Sequence, residues 1–125
     1  MLKTILLVGI GGAIGSIFRY VTHWATTKYF QGSFPLSTFL VNILGSLLIG
    51  LFIGYLGKYF PENHPLKFLL IIGFCGGFTT FSSFALENYN LLQNNNQITA
   101  YIYMVTSIIL TVSAVGFGSY LSKYL

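Results

Sequence analysis

Charge is what this sequence has least of. Charged residues are 6% of its 125 positions, and only Glu62 and Glu87 are acidic; soluble domains carry roughly 25% charged residues. So few charges cannot furnish a polar surface, which argues against a water-soluble fold. In a bilayer the outer surface is meant to be apolar, and the shortage disappears. The six cations, Lys3, Arg19, Lys28, Lys58, Lys67 and Lys123, stand singly near the ends of apolar runs. Nucleic-acid binding needs a patch or stripe of them, and is not expected. The lone cysteine, Cys75, rules out an intrachain disulfide. No cluster has metal-ligand spacing. His23 and His64 stand at span ends, far in sequence from a plausible serine and acid partner, so an enzyme is not expected. No nucleotide-binding loop is present.

What is there is apolar residues, 54% of the chain, and 14 glycines. Four apolar stretches, at about 4–27, 36–59, 66–92 and 98–123, each approach or exceed the roughly 20 residues that span a bilayer as helix. The expectation is an all-α membrane protein, one transmembrane domain over 1–125. Punctuation separates the stretches: Gln31-Gly32-Ser33-Phe34-Pro35, Pro61-Glu62-Asn63-His64-Pro65 and Gln93-Asn94-Asn95-Asn96-Gln97. These connections are short, so neighbouring helices run antiparallel. Lys3 followed by Ile5 to Ile14 and Gly15-Ser16 has the look of a short secretory signal, but cleavage there would remove half of the first span; an uncleaved helix is expected. Trp24, Tyr29, Tyr55, Tyr59, Tyr89, Tyr101 and Tyr124 fall near span ends, as interfacial aromatic belts do. With the N-terminus cytoplasmic, Lys3, Lys58, Lys67 and Lys123 lie inside and Lys28 outside, a moderate bias.

Glycine is a poor helix former in water but lets helices approach closely in lipid. Gly11 and Gly15, Gly50 and Gly54, and Gly73 and Gly77 form small-xxx-small pairs that predict tight helix crossings. A unit of four helices has little interior of its own, so partnership with a second copy is expected.

Several polar residues sit where lipid should exclude them. Asn42, between Val41 and Ile43, needs a partner for its amide; an interhelical structural bond is one reading and a pore-lining donor the other. Thr38, Asn42 and Gly45 share one face of the second helix. In the fourth span Tyr103, Ser107 and Thr111 recur every four residues; each hydroxyl either bonds the carbonyl one turn back or joins a water- or ion-lined track. The third span carries Gly76-Gly77 followed by Thr79, Thr80, Ser82 and Ser83, where helix is poorly favoured. A break there frees carbonyls that suit a small cation, while Ser82 and Ser83 would cap the second half. Phe81 and Phe84 share a face, either as ordinary packing or with ring edges, which carry partial positive charge, presented to an anion. Arg19 is the one strong cation within a span, either snorkelling to the interface or raising local anion concentration at a pore mouth.

Taken together, Gly11-Gly12-x-x-Gly15-x-x-x-Arg19-Tyr20, Pro35-x-x-Thr38-x-x-x-Asn42-x-x-Gly45 and Gly73-Phe74-Cys75-Gly76-Gly77-x-Thr79-Thr80-Phe81-Ser82-x-Phe84 resemble the Fluc (CrcB) fluoride channels through essentially the whole chain. Ser37 departs from the glycine expected before the threonine. The resemblance implies an antiparallel, dual-topology homodimer in the bacterial inner membrane. Each subunit would have a third helix broken mid-membrane, and the dimer two fluoride pores around a structural sodium ion. It implies sodium on the backbone carbonyls of Gly76 and Thr79, and a fluoride path along Asn42, Phe81 and Phe84. Thr38, Thr80, Ser83 and the Tyr103-Ser107-Thr111 stripe would form a polar track, with Arg19 at the vestibule and Glu87 at an acidic family position. It further implies passive export that relieves a cell of fluoride accumulated from acid surroundings. Two rivals remain: a small multidrug-type antiporter, which needs a membrane-embedded carboxylate that only Glu87 could supply, and a noncatalytic assembly subunit whose polar residues are helix glue.

Overall fold

The computed structural model describes all residues from Met1 to Leu125. It is all-helical, with four stretches long and apolar enough to cross a membrane: Leu2–Tyr29, Leu36–Tyr59, Pro65–Gln93 and Gln97–Tyr124. The first two are the single helices α1 (Leu2–Tyr29) and α2 (Leu36–Tyr59). The third is composite. A helical turn α3 (Pro65–Lys67) leads into a π-helix over Phe68–Cys75 and a second turn α4 (Gly76–Phe78); after two extended residues α5 runs over Phe81–Gln93. The fourth is α6 (Gln97–Leu121), closed by a 3-10 turn over Ser122–Tyr124. The spans reach one or two residues beyond most of the hydropathic boundaries, because Pro65 takes the first helical position of α3 and polar Gln93 and Gln97 are helical at their ends.

Short connections alternate the direction of the spans, so α2 and α6 run the same way and lie side by side, while α1 lies along the π-helix and α4. Both crossings are set by glycine. At Gly15 an added Cβ would run into the Phe74 carbonyl, and at Gly118 into the Leu47 carbonyl, backbone atoms with no side-chain freedom to yield. Gly11, Gly73 and Gly77 meet backbone in the same way on the first crossing, and Gly50, against the Val115 carbonyl, on the second.

Only 19 of 125 residues are buried, too few for a water-soluble core of this length, and the outward faces of α1 and α6 are rows of Ile, Leu, Val and aromatics. This is the inverse of a soluble surface, as the low charge content requires. One aromatic cluster fills the end where α5 meets α6. Tyr103, fully buried, packs edge-on against Phe34 and Phe84, with Leu91 and Ala100 beneath. Lys28 lies over Trp24 and Tyr29 at one end of the bundle, and Lys58 over Tyr59 and Lys123 over Tyr120 at the other.

The crossing geometry makes a paired prediction. Gly118→Ala is expected to lower stability by about 1–3 kcal/mol, the cost of overpacking. Gly116→Ala, where an added Cβ meets nothing within 4 Å, should hold or gain up to about 1 kcal/mol from helix propensity. Thermal unfolding of the two variants in detergent measures the difference; equal melting would contradict the close-approach account.

Candidate functional site

The third span owes its path to one side chain. Asn42 of α2 accepts the Thr80 N–H at its Oδ1 (2.8 Å) and donates from its Nδ2 to the Thr80 carbonyl (3.0 Å). The Thr80 N–H is thereby withdrawn from the helix while its carbonyl opens α5, and Thr79 (φ −82°, ψ 160°) and Thr80 (φ −153°, ψ 122°) are extended. Threonine tolerates this conformation well, being β-branched. Thr80 then starts α5: its Oγ1 accepts the Ser83 N–H at 3.2 Å and donates to the Ser83 Oγ at 3.1 Å.

A further consequence falls on the carbonyls. The amides of Thr80 and Ser83, which in a continuous helix would close on the carbonyls of Gly76 and Thr79, are engaged by Asn42 and by the Thr80 hydroxyl. The Thr79 carbonyl takes a long bond from Arg19 Nη1 (3.4 Å), and that of Gly77 one from Ser16 Oγ (3.5 Å). Thr79 binds back to Cys75, its N–H at 3.0 Å and its Oγ1 at 2.9 Å from the Cys75 carbonyl. Gly76 faces open space, and an added Cβ there would meet nothing within 4 Å. A neutral, partly vacated pair of backbone oxygens is a donor set that suits an alkali cation, and Gly76 and Thr79 are the residues that fit one. Two carbonyls from one chain do not complete a coordination shell.

Glu87 of α5 forms a second junction. Its Oε1 accepts from Thr38 Oγ1 at 2.6 Å and its Oε2 from the Tyr103 hydroxyl at 2.7 Å, so one carboxylate ties α2, α5 and α6 together. Short hydrogen bonds to a carboxylate are strong ones, and both oxygens are occupied. Glu87 also lines a small cavity of about 120 Å³ with His23, Thr26, Thr27 and Ser37.

A cavity of about 500 Å³ is walled by α2, the π-helix, α4, α5 and α6. Of the residues singled out from sequence it gathers Asn42, Gly76, Thr79, Thr80, Phe81, Phe84, Ser107 and Thr111. Thr38 and Tyr103 lie outside it, on Glu87; Ser83 is at the start of α5; Arg19 lies against the Thr79 carbonyl. The rings of Phe81 and Phe84 stand 5.6 Å apart, and Phe81 is 79% exposed, a large apolar side chain beside polar neighbours with no cover from its own chain. The fourth-span stripe divides three ways. Thr111 bonds the Ser107 carbonyl at 2.7 Å, Tyr103 is taken by Glu87, and the Ser107 hydroxyl is buried with no partner. Sequence reasoning left Glu87 without a role, since its two partners are remote in the chain, and passed over Ser46, which also lines the cavity although it stands one turn from Asn42.

The fold and these polar contacts define a multi-pass membrane protein whose spans enclose a polar, partly open groove. The profile described as "CrcB-like protein, Camphor Resistance (CrcB)" matches residues 6–119. Curated relatives across the length of the chain bear the name "Fluoride-specific ion channel FluC", three of them as follows. That of Flavobacterium psychrophilum is 47% identical over 124 residues, covering 99% of this chain and 100% of the relative. That of Azobacteroides pseudotrichonymphae is 44% identical over 99% of both chains. That of Ignicoccus hospitalis is 40% identical over 99% of this chain and 98% of its own. The chain belongs to the CrcB family, a family of ion channels of the cell membrane.

Replacing Asn42 by the near-isosteric Leu would strand the amide of Thr80 in an apolar setting and leave its carbonyl with the α5 bond alone. A loss of about 1–3 kcal/mol is expected, the cost of one stranded group. Denaturant titration of the purified protein measures it, and a loss under about 1 kcal/mol would mean that water or another side chain replaces the clamp.

Proposed function

We propose that this chain is a fluoride-selective channel that lets fluoride leave the cytoplasm passively, as an antiparallel homodimer with two pores. The observation that carries the reading is the groove of about 500 Å³ in which an amide (Asn42), hydroxyls (Thr80, Ser107) and phenyl rings (Phe81, Phe84) converge between the apolar spans. The relatives' name supplies the ion; the chemistry of the groove suits it. Fluoride is small and tightly hydrated, and can enter a dry path only where donors replace its water. Hydroxyls and amides do so without a full positive charge, and ring edges add a weak attraction. Weak binding at several sites lets an ion leave as readily as it arrives, as conduction requires.

The residues take these roles. Asn42, Phe81 and Phe84 line the path, and Thr38, Thr80, Ser83, Tyr103, Ser107 and Thr111 continue it as a polar track. Arg19 supplies positive potential on the vestibule side. The interruption at Thr79 and Thr80 lies at mid-membrane and divides the third span. Residues 1–125 act as one transmembrane domain. A second copy in the opposite orientation would cover the exposed Phe81 ring and the open Gly76 and close the groove. Its own Gly76 and Thr79 carbonyls would double the donor set and hold one sodium ion; that ion, when bound, pins the two copies together and takes no part in transport. Insertion in both orientations is compatible with the modest lysine bias.

The antiporter reading needs a carboxylate free to exchange a proton for a cation. Both oxygens of Glu87 are held by hydroxyls, which disfavours it.

Fluoride efflux from liposomes holding the purified protein tests the proposal. The wild type should discharge a fluoride gradient and hold a chloride gradient. Phe81→Ile and Asn42→Asp should each slow fluoride efflux by about tenfold or more, the worth of one good contact to a charged group. Normal efflux in both variants would remove the pore assignment.

A further inference from the structure

Along α2, polar groups recur on one face at Thr38, Asn42 and Ser46, every four residues, as Tyr103, Ser107 and Thr111 do along α6. The helices run the same way, in the register that sets Gly50 against the Val115 carbonyl. In that register the two rows face each other as three rungs: Thr38 with Tyr103, Asn42 with Ser107, Ser46 with Thr111. Glu87 closes the first rung by binding both hydroxyls. The residues of the other two rungs all line the large cavity. The hydrogen bonds of these faces engage Asn42 with Thr80, and Thr111 with the Ser107 carbonyl. They leave Ser46 free and the Ser107 hydroxyl buried and unpartnered. A buried hydroxyl without a partner is rare and needs an acceptor or a donor from outside the chain.

We propose that Ser46 is a specificity-determining residue of the ion path: with Ser107 it gives hydroxyl donors to a small anion on the side of Asn42 away from Glu87. This inference rests on the fluoride reading and adds to it a residue and a site beyond the break. Hydroxyl donors favour a small anion that makes short, strong hydrogen bonds over a larger, more diffuse halide. Both hydroxyls rotate freely, so each can follow the ion from one turn to the next.

The experiment compares full-length wild type, Ser46→Ala and Ser46→Thr in liposomes, with fluoride efflux read at an electrode and elution volume checked on a sizing column. Loss of one hydrogen bond to an anion predicts that Ser46→Ala slows efflux about tenfold at unchanged elution volume, and that Ser46→Thr, which keeps the hydroxyl, stays within about threefold of wild type. Should Ser46→Ala elute abnormally, Ser46→Cys, close in shape but a weak donor, carries the same comparison. Wild-type efflux from the alanine variant would overturn the inference. So would an equal loss in the alanine and threonine variants, since packing and not the hydroxyl would then be at work. A wild type that itself retains fluoride is a separate outcome: it overturns the channel reading, and the inference with it.

Discussion

Two hydrogen bonds from one amide decide the course of this fold. Asn42 is shaped to satisfy one donor and one acceptor at once, and in a bilayer neither side of that exchange has water to fall back on. By taking both backbone groups of Thr80, it turns the chain out of the helix at the place where two glycines and two threonines make departure cheapest. The rest follows in sequence. Thr80, held extended, has its hydroxyl directed at the start of α5; the carbonyls behind it lose their amides; and Phe81 and Phe84 are carried into the groove.

The glycines serve the same end at the level of packing. Asn42 reaches Thr80 only if α2 and the third span lie close, and Gly45 provides that closeness, since an added Cβ would overlap the Thr79 methyl. The crossings at Gly15 and Gly118 hold α1 and α6 against the same frame. Small residues at helix contacts and polar residues as glue are the two means by which helices associate in lipid, and here both meet at one place. Glu87 repeats the principle one turn away with a carboxylate in place of the amide, tying three helices by two short bonds.

Much of the fold was legible in the sequence. The four spans follow from hydropathy alone, because few charges interrupt them, and the glycine pairs marked the crossings. Asn42 was legible as a residue that must find a partner, but not which partner: Thr80 is remote in the chain, and nothing local distinguishes it from Thr79. The π-helix over Phe68–Cys75 gave no sign, since an unbroken apolar run has the same composition whether it winds as α or as π. Tyr103 stood out by period, yet its bond to Glu87 depends on how α5 leans on α6, which periodicity does not carry. Ser46 is different. Its spacing from Asn42 is the same four-residue count that links Tyr103, Ser107 and Thr111, yet a lone serine in a membrane helix so often bonds its own backbone that spacing alone does not mark it.

The central claim is that Asn42 holds Thr80 out of the helix. Residue-resolved amide hydrogen exchange on protein in lipid nanodiscs, wild type beside Asn42→Leu, tests it most directly. The account predicts a Thr80 amide protected in the wild type and exchanging far faster in the variant, by more than the common increase that the loss of global stability brings to α2 and α6 amides. Equal protection of Thr80 in both proteins would contradict it, for the amide would then be held by something other than Asn42.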